Sequence, residues 1–194
     1  DYNLINQDTA RLNLKIQTKK KIILYGAQNP QSKRKGWEIF VETLKSLDKS
    51  QYFLLIFGNF WSQKILDEIG IEYKILGYIN DKVKLNMAYS SADFFIASSI
   101  EDAWPKTFAE AMSCGTPVVC SNNSSITEVV GDAALTSDHD DVNSFTKNIL
   151  NLFSNNELYK KMADKGLSRS KLFSMNKFHN KLIDIYKNEL NKLK

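Results

Sequence analysis

Cysteine is scarce in this chain of 194 residues: Cys114 and Cys120 are the only two. Two thiols are too few for a disulfide scaffold, and their spacing suits no zinc site. Both read as small packed hydrophobes of a reducing compartment. No apolar run reaches the ~18 residues that a membrane-spanning helix needs. Neither sign of charge dominates, since 26 Lys and Arg stand against 22 Asp and Glu for a net +4. A dedicated nucleic-acid binder concentrates more positive charge than that, so no nucleic-acid partner is expected. No G-x-G-x-x-G follows the first strand and no G-x-x-x-x-G-K-[ST] occurs, which argues against a dinucleotide oxidoreductase and a P-loop NTPase. His139 and His179 fall in a polar turn and on a late helix and read as solvated, so no Ser-His-Asp or Cys-His set assembles and no metal cluster is expected. Internal repeats and low-complexity stretches are absent, and the overlapping sequons at 122–125 carry no meaning in a cytosolic chain. The opening Asp-Tyr-Asn-Leu, without an initiator Met or a signal-peptide pattern, leads to the expectation of a piece of something longer.

What is present is a soluble globular composition, 43% hydrophobic and 25% charged, of a size that suits one domain. Apolar runs predict strands at 20–27 (KKIILYGA), 51–58 (QYFLLIFG), 72–77, 93–98 (DFFIAS), 117–121 (PVVCS) and 133–136. Helical patterns fall between them at 36–47, 62–69, 81–91, 105–113 and 126–130, with Asn80 or Asp81 as an N-cap. This alternation predicts an α/β fold, a Rossmann-like parallel sheet of about six strands flanked by helices. After about residue 141 strands stop, and amphipathic helices at 142–153, 157–173 and 175–193 form a C-terminal helical extension. Residues 1–19 read as a linker with a helical turn around 9–14, residues 20–173 as the domain, and residues 174–194 as a separate C-terminal helix.

In an open α/β sheet, ligands sit outside the carboxyl ends of the strands. The strand at 93–98 ends in the loop Ser99-Ile100-Glu101-Asp102-Ala103-Trp104, whose adjacent carboxylates suit a pair of sugar or ribose hydroxyls. Pro105 fits the first position of the following helix, where its missing N–H costs nothing. Trp104 is then the cap and cannot accept from the N–H groups of Lys106, Thr107 and Phe108. A phosphate at the positive helix end would satisfy them. Glu110, between Ala109 and Ala111, leans back toward the same mouth. On the residues alone a second reading stands beside this one, with Glu110 facing solvent and Asp102 merely ending a strand.

Residues 98–130, SSIEDAWPKTFAEAMSCGTPVVCSNNSSITEVV, resemble the signature of group 1 glycosyltransferases with the GT-B fold: an acid, seven residues, a Glu, then Ala-Met-x-x-Gly-x-Pro-Val. Asp102 and Glu110 have that spacing. The likeness extends to Gly26, Lys35-Gly36, Gly77-Tyr78-Ile79, Tyr89-Ser90-Ser91-Ala92-Asp93, and Phe173-Ser174 before the last helix. It covers nearly the whole chain.

The resemblance implies one half of a GT-B fold, the C-terminal domain that binds a nucleotide-diphosphate sugar. In it Glu110 holds the ribose hydroxyls, Asp102 accepts from the donor sugar, and the backbone of Ala103, Trp104, Pro105, Lys106 and Thr107 lines the sugar and phosphates. Lys35 offsets the pyrophosphate charge as the leaving group departs, Gly26 belongs to the same first loop, and Gly77, Tyr78 and Ile79 border the base. The implied activity is a retaining, metal-independent hexosyltransferase of bacterial polysaccharide or glycoconjugate biosynthesis. No cofactor is implied, and the acceptor, a glycan or lipid-linked sugar, belongs to the missing N-terminal domain. This chain alone is expected to be inactive.

Three departures from the family pattern bear on the site. The first acid is Asp102 rather than Glu, with Glu101 beside it, so either carboxylate fits that role. Ala27 stands where the family often has Arg, and Arg34 in the long loop 28–34 offers a replacement cation. Trp104-Pro105 replaces Phe-Gly. Between residues 157 and 194, ten Lys and Arg stand against four Asp and Glu, a local balance of +6. The plainer reading is a set of solvated outer faces; the other is peripheral attraction to the inner face of an anionic membrane from the cytoplasm. A non-catalytic nucleotide- or partner-binding module of the same fold is the alternative function.

Overall fold

The computed structural model describes residues 2–123 and 125–192; the expected ends of the chain at Leu193 and Lys194, and Ser124 of the sequons, lie outside them. Six strands form one wholly parallel sheet: β1 (Lys21–Gly26), β2 (Tyr52–Phe57), β3 (Glu72–Ile75), β4 (Phe94–Ala97), β5 (Val118–Ser121) and β6 (Ala134–Ser137). Their order is β3-β2-β1-β4-β5-β6, so the chain winds outward one way from β1, then crosses back to β4 and winds outward the other way. The predicted Rossmann-like architecture is observed.

Period-two alternation along the inner strands splits the core into two layers. Ile22 and Leu24 of β1 join Phe95 of β4 on one face, beneath Ala88 and Tyr89 of α4 (Lys82–Ser91) and Phe108 and Met112 of α5 (Lys106–Ser113). Ile23 and Tyr25 join Phe94 on the other face. Above them lie Phe40 of α2 (Trp37–Lys45) and Phe145 and Ile149 of α7 (Val142–Ser154). Side chains such as Phe94, Phe95 and Phe108 are fully buried, each contributing about 1.5–3 kcal/mol. This is why the inner strands read as continuous apolar runs.

The amino ends of β1 and β4 are tied by Asp93, which is buried. Its Oδ2 accepts from the Ile22 amide at 2.7 Å and from Arg11 at 2.8 Å. Arg11 belongs to α1 (Gln7–Asn13), where Asn6 caps the first turn and Ala10 is buried. The segment read as a linker therefore contributes a helix that packs against α4. A cavity of about 210 Å³ lies at this same end, lined by Lys21, Asp93 and Phe153 together with Tyr159 of α8 (Asn156–Ser170). It is at the far end of the sheet from the loops that carry the candidate residues. The last helix, α9 (Met175–Lys192), buries no residue and leaves Phe178, Leu182, Tyr186 and Leu190 exposed. Among the described residues no helix is long and apolar enough to cross a membrane.

Candidate donor-binding site at the sheet switch point

Because β1 and β4 are neighbours whose connections run in opposite directions, the loops leaving their carboxyl ends diverge and open a crevice, the usual ligand position in such sheets. The first loop ends in a 3₁₀ turn at Lys33–Lys35 and Gly36. Tyr25, fully buried, donates to the carbonyls of Pro30 and Lys35 at 3.0 Å each and fixes the loop from beneath. Burial raises its phenol well above the ordinary tyrosine range, so it stays a donor. Gly36 has φ +68°, and a Cβ there would lie 1.7 Å from the Ser98 carbonyl oxygen. The Ser98 hydroxyl in turn donates to the Gly36 carbonyl at 2.8 Å. The loop after β1 is thereby pressed onto the end of β4, and only glycine permits that approach.

That approach brings together two pairs of predicted residues, Arg34 with Glu101 and Lys35 with Asp102, each 67 positions apart. The Lys35 ammonium donates to Asp102 Oδ2, and the two side chains are 16% and 11% exposed. Arg34 donates to the Glu101 carbonyl at 3.0 Å and lies 3.8 Å from Asp102 Oδ1. The Ile100 amide donates to the Arg34 carbonyl at 2.9 Å. Of the two adjacent acids, Asp102 is the buried one that meets the cations, and Glu101 is exposed. Behind them the loop after β5 braces the crevice: Ser125 donates to the Asp102 carbonyl at 2.5 Å, and Asn123 donates to that of Ile100.

The start of α5 differs from expectation. Pro105 is the cap residue, with φ −78° and ψ 85°, and Lys106 is the first helical residue. The cause is a tight turn in which the Lys106 amide donates to the Trp104 carbonyl at 2.9 Å. The Phe108 amide reaches the Pro105 carbonyl at 3.2 Å. Of the three donors expected to be open, only the Thr107 amide lacks an acceptor among the described residues, and no side chain caps the helix. Trp104 is 46% exposed, its ring edge-on to Phe173 at 5.4 Å.

Glu110 is half-buried rather than facing solvent. Its Oε2 accepts from the hydroxyl of Tyr89, on the last turn of α4, at 2.8 Å. Tyr2 sits edge-on to Tyr89 at 6.0 Å. Burial first, and then the charge of Glu110, raise both phenols, so each remains protonated. Neither tyrosine was legible as a site residue, because their meeting with Glu110 depends on how α4 and the first residues pack on α5.

The other predicted residues lie at the same end of the sheet. Gly26 closes β1, and the place of a Cβ is occupied by the Phe57 ring at 2.3 Å, so glycine here is a packing requirement. Gly77 follows β3, its carbonyl accepting from the Gly58 amide at 2.9 Å. Tyr78 is exposed, and Ile79 packs on the core.

A crevice at the switch point, edged by a Lys–Asp pair and a helix start without a side-chain cap, defines a Rossmann-like domain with a ligand site at the carboxyl ends of its strands. The chain belongs to the family described as glycosyl transferases group 1, whose profile matches residues 6–169. It is 31% identical over 170 residues to O-antigen chain mannosyltransferase B of Escherichia coli, covering 84% of this chain and 44% of that protein. Its fold is similar to sucrose-phosphate synthase of Thermosynechococcus elongatus, with TM-score 0.85 and 21% identity over 98% of this chain and 50% of that one. It is also similar to Anabaena HepE, solved with UDP and glucose, with TM-score 0.82 and 17% identity over 96% and 54% of the two chains. The chain thus spans about half the length of these relatives.

Proposed function

We propose that this chain is the donor-binding half of a retaining, metal-independent glycosyltransferase that uses a nucleotide-diphosphate hexose. The observation that carries the reading is the meeting of Lys35, Arg34 and Asp102 across the switch point in a chain of this family. Lys35 and Arg34 take the diphosphate, aided by the Thr107 amide and the positive end of α5. Asp102 exchanges its bond to Lys35 for hydroxyls of the donor sugar, which the backbone of Ala103 to Lys106 borders. Glu110 takes the ribose diol, and the stretch Gly77 to Ile79 borders the base.

The chemistry asked of these residues is stabilisation of a departing diphosphate by fixed cations and amides. Transfer then proceeds on the same face of the sugar as departure, and the acceptor comes from a second domain facing this one. The mannosyltransferase and UDP–glucose relatives support a hexose donor, and O-antigen assembly supports a role in bacterial surface polysaccharide. The +6 balance of residues 157–194 would favour an acceptor held at an anionic membrane surface on the cytoplasmic side.

The test is an NMR titration of the chain with UDP, GDP and ADP, repeated on Glu110→Ala. One nucleotide is expected to bind between millimolar and tens of micromolar, about −4 to −6 kcal/mol, because one wall of the cleft acts alone. Glu110→Ala is expected to weaken it about tenfold or more. Binding that ignores Glu110 would overturn the assignment, and no transfer to any acceptor is expected from this chain by itself.

A further inference from the structure

We propose that Tyr89 is a positioning residue that selects a ribose-bearing donor by fixing the Glu110 carboxylate. The inference rests on the donor reading above and adds a specificity determinant to it. Tyr89 is fully buried, and its ring is held edge-on by Phe57 at 5.6 Å, Phe95 at 5.7 Å and Tyr2 at 6.0 Å. Its carbonyl accepts from the Thr116 hydroxyl at 2.8 Å, which anchors the backbone as well. A phenylalanine would fill the same space and make the same ring contacts. The hydroxyl adds one thing, the 2.8 Å bond to Glu110 Oε2.

That bond matters because of the carboxylate it holds. A half-buried glutamate on a helix has three side-chain torsions, and a ligand that must order them loses affinity. Tyr89 orders them beforehand and occupies one lone pair of Oε2. The Tyr2 hydroxyl also interacts with this carboxylate, and the lone pairs of Oε1 and Oε2 that the two tyrosines do not occupy are left to accept from a ligand. A vicinal diol brings two donors to such a carboxylate, one for Oε1 and one for the second lone pair of Oε2. A 3′-deoxyribose brings one and leaves a desolvated acceptor unmet, which is how a polar site rejects a ligand lacking one hydroxyl.

The experiment compares UDP, GDP and ADP with their 3′-deoxy forms by NMR titration on the wild-type chain, Tyr89→Phe, Glu110→Ala and the double variant. Wild type is expected to prefer the ribonucleotide by about tenfold. Tyr89→Phe is expected to weaken the ribonucleotide about three- to tenfold while barely changing the 3′-deoxy form, so the preference collapses. In the Glu110→Ala background the same substitution is expected to change neither. A merely structural tyrosine would weaken both ligands alike. A folded Tyr89→Phe chain that keeps the wild-type preference overturns the inference and leaves the donor site standing. Absence of nucleotide binding by wild type, or binding indifferent to Glu110→Ala, overturns the donor reading and this inference with it. Should Tyr89→Phe fail to fold, the ring Cζ resonance of Tyr89 in the wild-type chain decides. It is expected to shift on nucleotide saturation and in Glu110→Gln, and an unmoved resonance overturns the inference.

Discussion

A carboxylate whose side chain is 11% exposed has few water molecules to turn to, and Asp102 turns to Lys35. The pair is held in place by the backbone rather than by its own attraction, through Gly36 against Ser98 and through Arg34 against Ile100 and Glu101. Removing Lys35 alone takes away the shortest ion pair of Asp102 and leaves that buried charge less compensated, with Arg34 still 3.8 Å away. Lys35→Ala is therefore expected to lower stability by on the order of 2 kcal/mol, with Lys35→Ala/Asp102→Asn recovering part of the loss. Urea midpoints of the three chains check this. A double variant less stable than Lys35→Ala would show that Asp102 is held by other contacts.

Among the elements, α1 and the amino ends of β1 and β4 depend on one side chain. Asp93 satisfies the Ile22 amide at the head of β1 and the Arg11 guanidinium of α1 together. Asp93→Ala is expected to cost about 2–4 kcal/mol, since it leaves a buried amide and a guanidinium without their acceptor. The loss appears as a lower urea midpoint and faster amide exchange in α1. The four inner strands were legible as apolar runs, because burial on both faces makes an inner strand apolar throughout, while the edge strands β3 and β6 and the helices followed from the alternation of elements. What was not legible came from packing at a distance. Residues 1–19 announced a helical turn around 9–14, but with the single buried residue Ala10 they show too little apolar periodicity to announce that it packs on α4. The shift of the α5 start from Pro105 to Lys106 depends on a turn closed by Trp104. Asp102 and Glu101 were both visible as candidate acids, but that Asp102 is the one meeting Lys35 across 67 positions depends on how the two loops pack.

At the scale of the whole molecule, burial sets an alkaline limit. Tyr159 is raised to about 12 by burial and then by the charge of Asp93, and Cys114 to about 12 chiefly by burial. Each group is protonated in the fold and ionises earlier in the unfolded chain, at about 10 for tyrosine and about 8.5 for cysteine. Stability from these groups is complete below about pH 8.5 and is lost as pH rises toward 12. The urea midpoint is expected to hold to about pH 8.5 and then fall. The part of the tyrosine absorbance near 295 nm that is lost in Tyr159→Phe should rise in step with unfolding rather than ahead of it. Ionisation of Tyr159 in the still-folded chain near pH 10 would contradict this.

The order of the sheet has a consequence for how such a protein changes over generations. The residues proposed to handle the diphosphate hang from β1 and β4, the two innermost strands, each braced by a neighbour on both sides. The stretch proposed to border the base follows β3, an edge strand whose residues are only partly buried. Substitutions near the centre disturb the core and are purged with it; those at the margin are tolerated. On the proposed assignment the reaction would be inherited with the fold, while the choice of nucleotide would be free to drift.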